Sequence, residues 1–125
     1  MLKPKKLKIK SLMLINRDIN KAIRLKNKIN AKSNFLKVEV FPENDYSLAC
    51  SDIIINATSL GLKKTDKLPF DVTNTPLNSV IADIIMQPEE TELLKNAKSL
   101  GRTIHYGKYM IESQIDLVND FLKIW

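Results

Sequence analysis

With 125 residues the chain has room for one domain of ordinary size and a modest core, and its 44% hydrophobic and 27% charged content is that of a soluble globular protein rather than a disordered or fibrous one. The formal charge of +6 is unevenly placed: through residue 38 twelve Lys and Arg stand against one acid, whereas the remainder carries eight against thirteen. No apolar run approaches the roughly 20 residues that span a bilayer, and no hydrophobic core or small-residue cleavage site follows the basic start, so neither a membrane nor a secretory role is expected.

Lys3–Lys10 is too charged to be core and reads as a tail, or as the end of a helix. Ser11–Ile15 (SLMLI) has the pattern of a buried strand and runs into Asn16-Arg17-Asp18. From Ile19 to Asn30, apolar Ile19, Ala22, Ile23 and Ile29 recur at near-helical spacing, with Asp18 placed as the N-cap and Lys21, Arg24, Lys26 and Lys28 mostly outward. The only ring in this basic half is Phe35, so a stacking platform for single strands is absent, and a solvated helix face explains the charge better than nucleic acid does. Phe35–Phe41 is the next strand, followed by a turn at Pro42–Asn44 and a short helical turn over Asp45–Ser51. The lone Cys50 cannot form an internal disulfide.

The central stretch is Asp52–Leu62, DIIINATSLGL. A short apolar run closed by small polar residues and Gly is what a buried parallel strand looks like where it meets a ligand crevice, beyond the carboxyl end of the sheet. Asn56, Thr58 and Ser59 stand where a cofactor would be touched, with Gly61 letting the backbone turn; the plainer alternative is that they only cap a core strand. Lys63–Ser79 reads as a long loop and Val80–Met86 as another buried strand with Asp83 inside it. Gln87–Glu90 opens a helix with Leu93, Leu94, Ala97 and Leu100 on its buried face, Thr91 as N-cap and Gly101 as its left-handed end. Thr103–His105 is a short strand, and one histidine cannot make a metal cluster, so no metal site is expected. Gly107 then opens a final helix over Met110–Trp125, with Met110, Leu117, Val118, Phe121 and Leu122 on one stripe. This order predicts an α/β fold, a Rossmann-like parallel sheet with helices on both faces.

Two features go beyond packing. Gln114 falls on the apolar stripe of the last helix, which implies either a face opening on a polar cleft or a core amide satisfied by backbone. Asn16 and Arg17 stand at a strand end where an acid would select the ribose 2′-OH of NAD, so they suit the 2′-phosphate of NADP, with Lys21 one turn on as a second cation; exposed side chains without a ligand are the alternative.

The pairing of DIIINATSLG with ADIIMQPEETELLKNAKSLGRTIHYGKYMIESQ resembles the C-terminal, nucleotide-binding half of shikimate dehydrogenase. The ordered blocks are Asn56-Ala57-Thr58-Ser59; then Asp83 to Met86, Pro88, Thr91, Leu93-Leu94 and Ala97; then Gly107, Met110 and Gln114, with Leu14–Asp18 resembling the family's Asn-Arg-Thr clamp. The resemblance implies that Asn16, Arg17 and Lys21 hold the adenosine 2′-phosphate, that Asn56, Ala57 and Thr58 line the cofactor crevice, and that Ile84, Gly107 and Met110 pack around the nicotinamide end. Gln114 would hydrogen-bond a hydroxyl of shikimate, in a reversible hydride transfer between 3-dehydroshikimate and NADPH.

The departures are specific. Met86 stands where the family usually has Tyr, on the substrate side, and Gly107-Lys108-Tyr109-Met110 replaces Gly-Leu-Gly-Met, both as in a divergent shikimate dehydrogenase-like branch. Those two changes leave quinate open as substrate; Asp18 replaces a Thr that contacts the phosphate, and its carboxylate repels a 2′-phosphate unless turned away as an N-cap, so NAD stays open as cofactor. The family's first strand, its glycine-rich phosphate loop and its N-terminal substrate domain, with the catalytic Lys and Asp, would all lie upstream of Met1. Residues 1–125 are therefore expected to be a C-terminal nucleotide-binding domain truncated at its N-terminal side, with no catalytic residue of its own. The expected setting is cytoplasmic, the expected partners are shikimate or 3-dehydroshikimate together with the missing domain, and a homodimer is open because a bare strand edge favours self-association. The contrasting expectation is a non-catalytic Rossmann-like remnant or nucleotide-binding module.

Overall fold

A computed structural model of the chain describes residues 8–122. The chain divides into two compact units, Met1–Tyr46 and Ser47–Trp125. The α/β architecture of parallel strands and helices is present, with the strands hydrogen-bonded as a pair and as a triplet.

The first unit is a single βαβ crossover. Strand β1 (Ser11–Asn16) pairs in parallel with β2 (Lys37–Pro42), Ser11 opposite Lys37 and Asn16 opposite Pro42. Helix α1 (Ile19–Lys32) connects them and packs on both. Asp18 is its N-cap, as its position implied: the carboxylate accepts from the Asn20 N–H at 3.1 Å. The predicted apolar stripe is only partly used. Ala22 is buried, whereas Ile19 and Ile23 are exposed, because a two-stranded sheet offers too narrow a face to cover a whole helix stripe. Phe35, read as part of the second strand, lies outside it and is 97% exposed.

In the second unit β3 (Ile53–Asn56), β4 (Val80–Asp83) and β5 (Thr103–His105) form a parallel sheet in that order, with β4 central. The register sets Ile54 beside Ile81 and Asn56 beside Asp83, and Ile81 beside Ile104, so these side chains share one face. That face is the core: Ile54, Ile81 and Asp83 are buried with Leu93, Leu94 and Ala97 of helix α2 (Glu92–Ser99), which packs on β4 and β5. The opposite face, with Ile53 and Ile55, is exposed. Between β3 and β4 the long loop carries a 3₁₀ turn, Val72–Asn74, whose Val72 is fully buried.

Several boundaries differ from the sequence reading. Residues 45–51 form turns and no helix. Strand β4 stops at Asp83 rather than Met86, because the Asp83 carboxylate accepts the Ile85 N–H at 3.0 Å and draws the backbone out of the ladder. Helix α2 starts after Thr91, not at Gln87; the Thr91 hydroxyl accepts from the Leu94 N–H. It ends as a Schellman motif, with Gly101 at φ +81°, its N–H on the Lys98 carbonyl and the Arg102 N–H on that of Ala97. Helix α3 (Lys108–Leu122) begins two residues earlier than predicted; residues 123–125, like the lysine-rich tail through residue 7, lie outside the described residues. Its expected buried stripe is corrected: Met110, Leu117, Val118, Phe121 and Leu122 are all exposed.

Candidate functional site

In the first unit the candidates cluster in the turn from β1 into α1. Asn16 closes the strand and its Oδ1 accepts the Asp18 N–H at 2.8 Å, tightening the turn. The Asp18 carboxylate is turned into the start of α1, where it accepts the Asn20 N–H. Arg17 and Lys21 are exposed, and neither forms an ion pair among the described residues. Two cations at a helix N-terminus, beyond the carboxyl end of a parallel strand, match the chemistry of a bound phosphate.

In the second unit a cleft of about 370 Å³ opens at the carboxyl ends of the three strands. Its floor is Ile55 of β3, Ala82 and Asp83 of β4 with Ile84 beyond, and His105 of β5 with Tyr106. One wall is α3, contributing Tyr109, Met110, Ser113, Gln114 and Leu117. Apolar lining with a few polar groups is the usual character of a small-molecule site, and its place matches the ligand rule for open α/β sheets.

Of the residues singled out from sequence, Ile84, Met110 and Gln114 converge on this cleft. Gln114 is exposed, so it is not a satisfied core amide. Ala57 and Thr58 follow directly from the cleft-lining end of β3 and are exposed. Asn56 is 2% exposed and its amide is consumed within the protein. Its Nδ2 donates to the Leu60 carbonyl at 3.0 Å and to Asp83, while its Oδ1 accepts from the Thr58 N–H at 3.1 Å and hydroxyl at 2.7 Å. Asn56 therefore shapes the turn and offers a ligand no free amide. Gly61 completes that turn at φ +119°, and the Asp66 carboxylate accepts the Gly61 and Lys63 N–H groups. Those two backbone bonds hold the Asp66 carboxyl below its ordinary range.

Gly107 is buried rather than open to the cleft. A Cβ there would lie 2.5 Å from the Ile85 carbonyl oxygen and 2.7 Å from the Ile84 backbone, so the residue permits β5 and α3 to close on the chain leaving β4. Met86 is exposed and is not among the cleft-lining residues.

Sequence reasoning missed His105, Tyr106, Tyr109 and Ser113 as lining residues. His105 closes a strand, which the carboxyl-end rule could have flagged, whereas the inward turn of Tyr109 depends on how α3 docks. The His105 and Tyr109 rings meet edge to face at 5.2 Å between centroids. Lys108 Nζ lies 5.5 Å from the Tyr106 ring and 5.3 Å from that of Tyr109, and pairs with Glu89 at 2.6 Å. The Glu89 hydrogen bond is the main cause of a raised Lys108 pKa. Lys108 thus braces Tyr106 and Tyr109 where they line the cleft. Among the described residues no group of three or more His, Cys, Asp or Glu is placed to hold a metal, and no helix is long and apolar enough to cross a membrane.

No family model matches the chain. It is 36% identical over 106 residues to a shikimate dehydrogenase (NADP(+)) of Pelagibacter ubique, covering 85% of this chain and 37% of that protein. It is 37% identical over 93 residues to the enzyme of the same name from Methanococcus aeolicus, covering 73% of this chain and 34% of that one. Among solved structures, quinate dehydrogenase from Corynebacterium glutamicum in complex with NAD superposes with a TM-score of 0.74 at 28% identity, over 82% of this chain and 37% of that one. The chain thus spans little more than a third of the relatives it matches. Over that span, a Rossmann-like α/β segment with a cleft at the carboxyl ends of its strands, the chain is related to the shikimate dehydrogenases.

Proposed function

We propose that this chain is the C-terminal nucleotide-binding domain of an NADP-dependent shikimate dehydrogenase, working with a substrate domain in the reversible reduction of 3-dehydroshikimate to shikimate. The observation that carries the reading is the convergence of Ile84, Met110 and Gln114 on one cleft at the strand ends, in a chain whose relatives bear that enzyme's name. NADPH supplies the hydride when bound. Arg17, Lys21 and the start of α1 would hold its 2′-phosphate, a role supported by the Asp18 carboxylate being spent on the helix cap. Ala57 and Thr58 would border the crevice, and the apolar floor at Ile55, Ala82 and Ile84 would take the flat nicotinamide ring while excluding water. Gln114 would orient a substrate hydroxyl. None of these residues is assigned proton transfer, which falls to the substrate domain. The setting would be the cytoplasm, and a homodimer is the oligomer to look for by sedimentation.

The test joins this chain, in trans or as a fusion, to the N-terminal portion of the Pelagibacter ubique relative. NADPH oxidation is followed with 3-dehydroshikimate and with 3-dehydroquinate. Turnover that needs both parts and fails with either alone is the expected result. No hydride transfer under any complementation, with NADPH still bound, would favour a non-catalytic nucleotide-binding module. NADH outperforming NADPH would assign the other cofactor, as in the NAD complex of the quinate dehydrogenase.

A further inference from the structure

Residues in register on parallel strands share a face of the sheet. Ile55 stands beside Ala82 and Ala82 beside His105, so one row of side chains crosses all three strands on the face opposite the buried Ile54 and Ile81. The whole row lines the cleft, which places the imidazole of His105 on the same floor as two apolar side chains.

Most of the polar groups around that floor are engaged within the chain. The Asp83 carboxyl is bonded to the Thr91 hydroxyl, the Ile85 N–H and the Asn56 amide. The Ser113 hydroxyl donates to the Tyr109 carbonyl at 2.8 Å, and the Tyr106 and Tyr109 rings flank the Lys108 ammonium. The side chains of His105 and Gln114 are exposed to the cleft and make no hydrogen bond among the described residues. The imidazole is nonetheless braced. Its ring meets that of Tyr109 edge to face, Lys108 Nζ lies 5.3 Å from the Tyr109 centroid, and Glu89 accepts from that ammonium at 2.6 Å. Such bracing removes rotamer freedom that a ligand contact would otherwise have to freeze.

In either protonation state an imidazole offers at least one N–H donor, and the carboxamide of Gln114 both donates and accepts. On an apolar floor these two groups favour a ring that carries hydrogen-bonding groups at its edge. A purely hydrocarbon ring would cover them and leave them unpaired. We infer that His105 is a ligand-binding residue of the cleft, which together with Gln114 selects a ring edged with a carboxamide or with hydroxyl groups. Whether the nicotinamide of the cofactor or the ring of the substrate brings that edge rests on the function proposed above; the contact to His105 does not.

His105 is the only histidine of the chain, so its ring C–H signals in an NMR spectrum of the full, untagged chain report on the cleft alone. The chain is titrated with nicotinamide and, separately, with shikimate. A saturable shift of the His105 ring signals, with Overhauser contacts to the probe, is expected. A response to nicotinamide alone assigns His105 to the cofactor ring, to shikimate alone to the substrate, and to both to the place where the two meet. His105→Phe keeps an aromatic edge against Tyr109 and removes both nitrogens. It is expected to weaken the responding probe about three- to tenfold, the worth of one hydrogen bond, with the unfolding midpoint unchanged. Gln114→Leu is expected to weaken the same probe. No saturable shift with either probe, or a His105→Phe chain that binds as tightly as the parent, overturns the inference. In the complemented enzyme, His105→Phe should raise KM for the same ligand by the same factor. Hydride transfer with KM unaltered for cofactor and substrate would remove His105 and leave the dehydrogenase standing. Saturable contact to His105 in a chain that transfers no hydride under any complementation would remove the dehydrogenase and leave the contact standing.

Discussion

At Gly107 and Arg17, single side chains carry opposite burdens. Gly107→Ala places a methyl against backbone that cannot swing aside, so a loss of about 1–3 kcal/mol in the denaturant-unfolding free energy is expected, the usual scale of overpacking. Arg17→Ala should leave stability within about 0.5 kcal/mol, because the residue is exposed and unpaired among the described residues. Its effect belongs to binding: in the complemented enzyme the preference for NADPH over NADH should fall by roughly tenfold, the worth of one charge-assisted contact. Equal loss for both cofactors would remove Arg17 from the 2′-phosphate. Asp66 adds a pH dependence. Its folded-state pKa is depressed by the Gly61 and Lys63 N–H groups, so the turn is fully stabilised above the ordinary carboxylate range and loosens as pH falls through the depressed value. A carbon-13 titration of Asp66 should show that low midpoint, with the Gly61 amide shift moving in step; an ordinary midpoint would contradict it.

Among the elements, helix α3 is the more apolar in sequence and α2 the more buried. Leu93, Leu94 and Ala97 of α2 are sealed against β4 and β5, whereas α3 has no buried residue. Leu94→Ala is therefore expected to cost about 2–5 kcal/mol, and Phe121→Ser, at a position 85% exposed, within about 0.5 kcal/mol. Comparable losses from the two would show that the α3 stripe is covered in solution. Caps and stops were readable directly: Asp18, Thr91 and Gly101 serve locally, through side-chain atoms or φ freedom that act within a few residues. Strand β4 was read three residues too long for the opposite reason. VIADIIM is uniformly strand-like, and only the Asp83 carboxylate, fixed by Asn56 and Thr91, ends the ladder.

The described residues form two parallel sheets of unequal size. Sheet β1–β2, with one helix and few buried side chains, is expected to exchange its amides faster than β3–β4–β5, whose Ile81 is fully buried. Equal protection would mean that the smaller sheet gains cover beyond what is described.

By itself the sequence determined the α/β class, the parallel alternation, the capping residues and the likeness to shikimate dehydrogenases, because each depends on local chemistry or on motif order along the chain. It also brought Ile84, Met110 and Gln114 forward as candidates. Tertiary structure alone decided that Asn56 is spent on Thr58 and Asp83, that Gly107 is a packing residue, that Tyr109 and His105 line the cleft, and that the α3 stripe lies open. These are outcomes of which faces meet, and a helical or strand period states only which face is apolar, not what covers it.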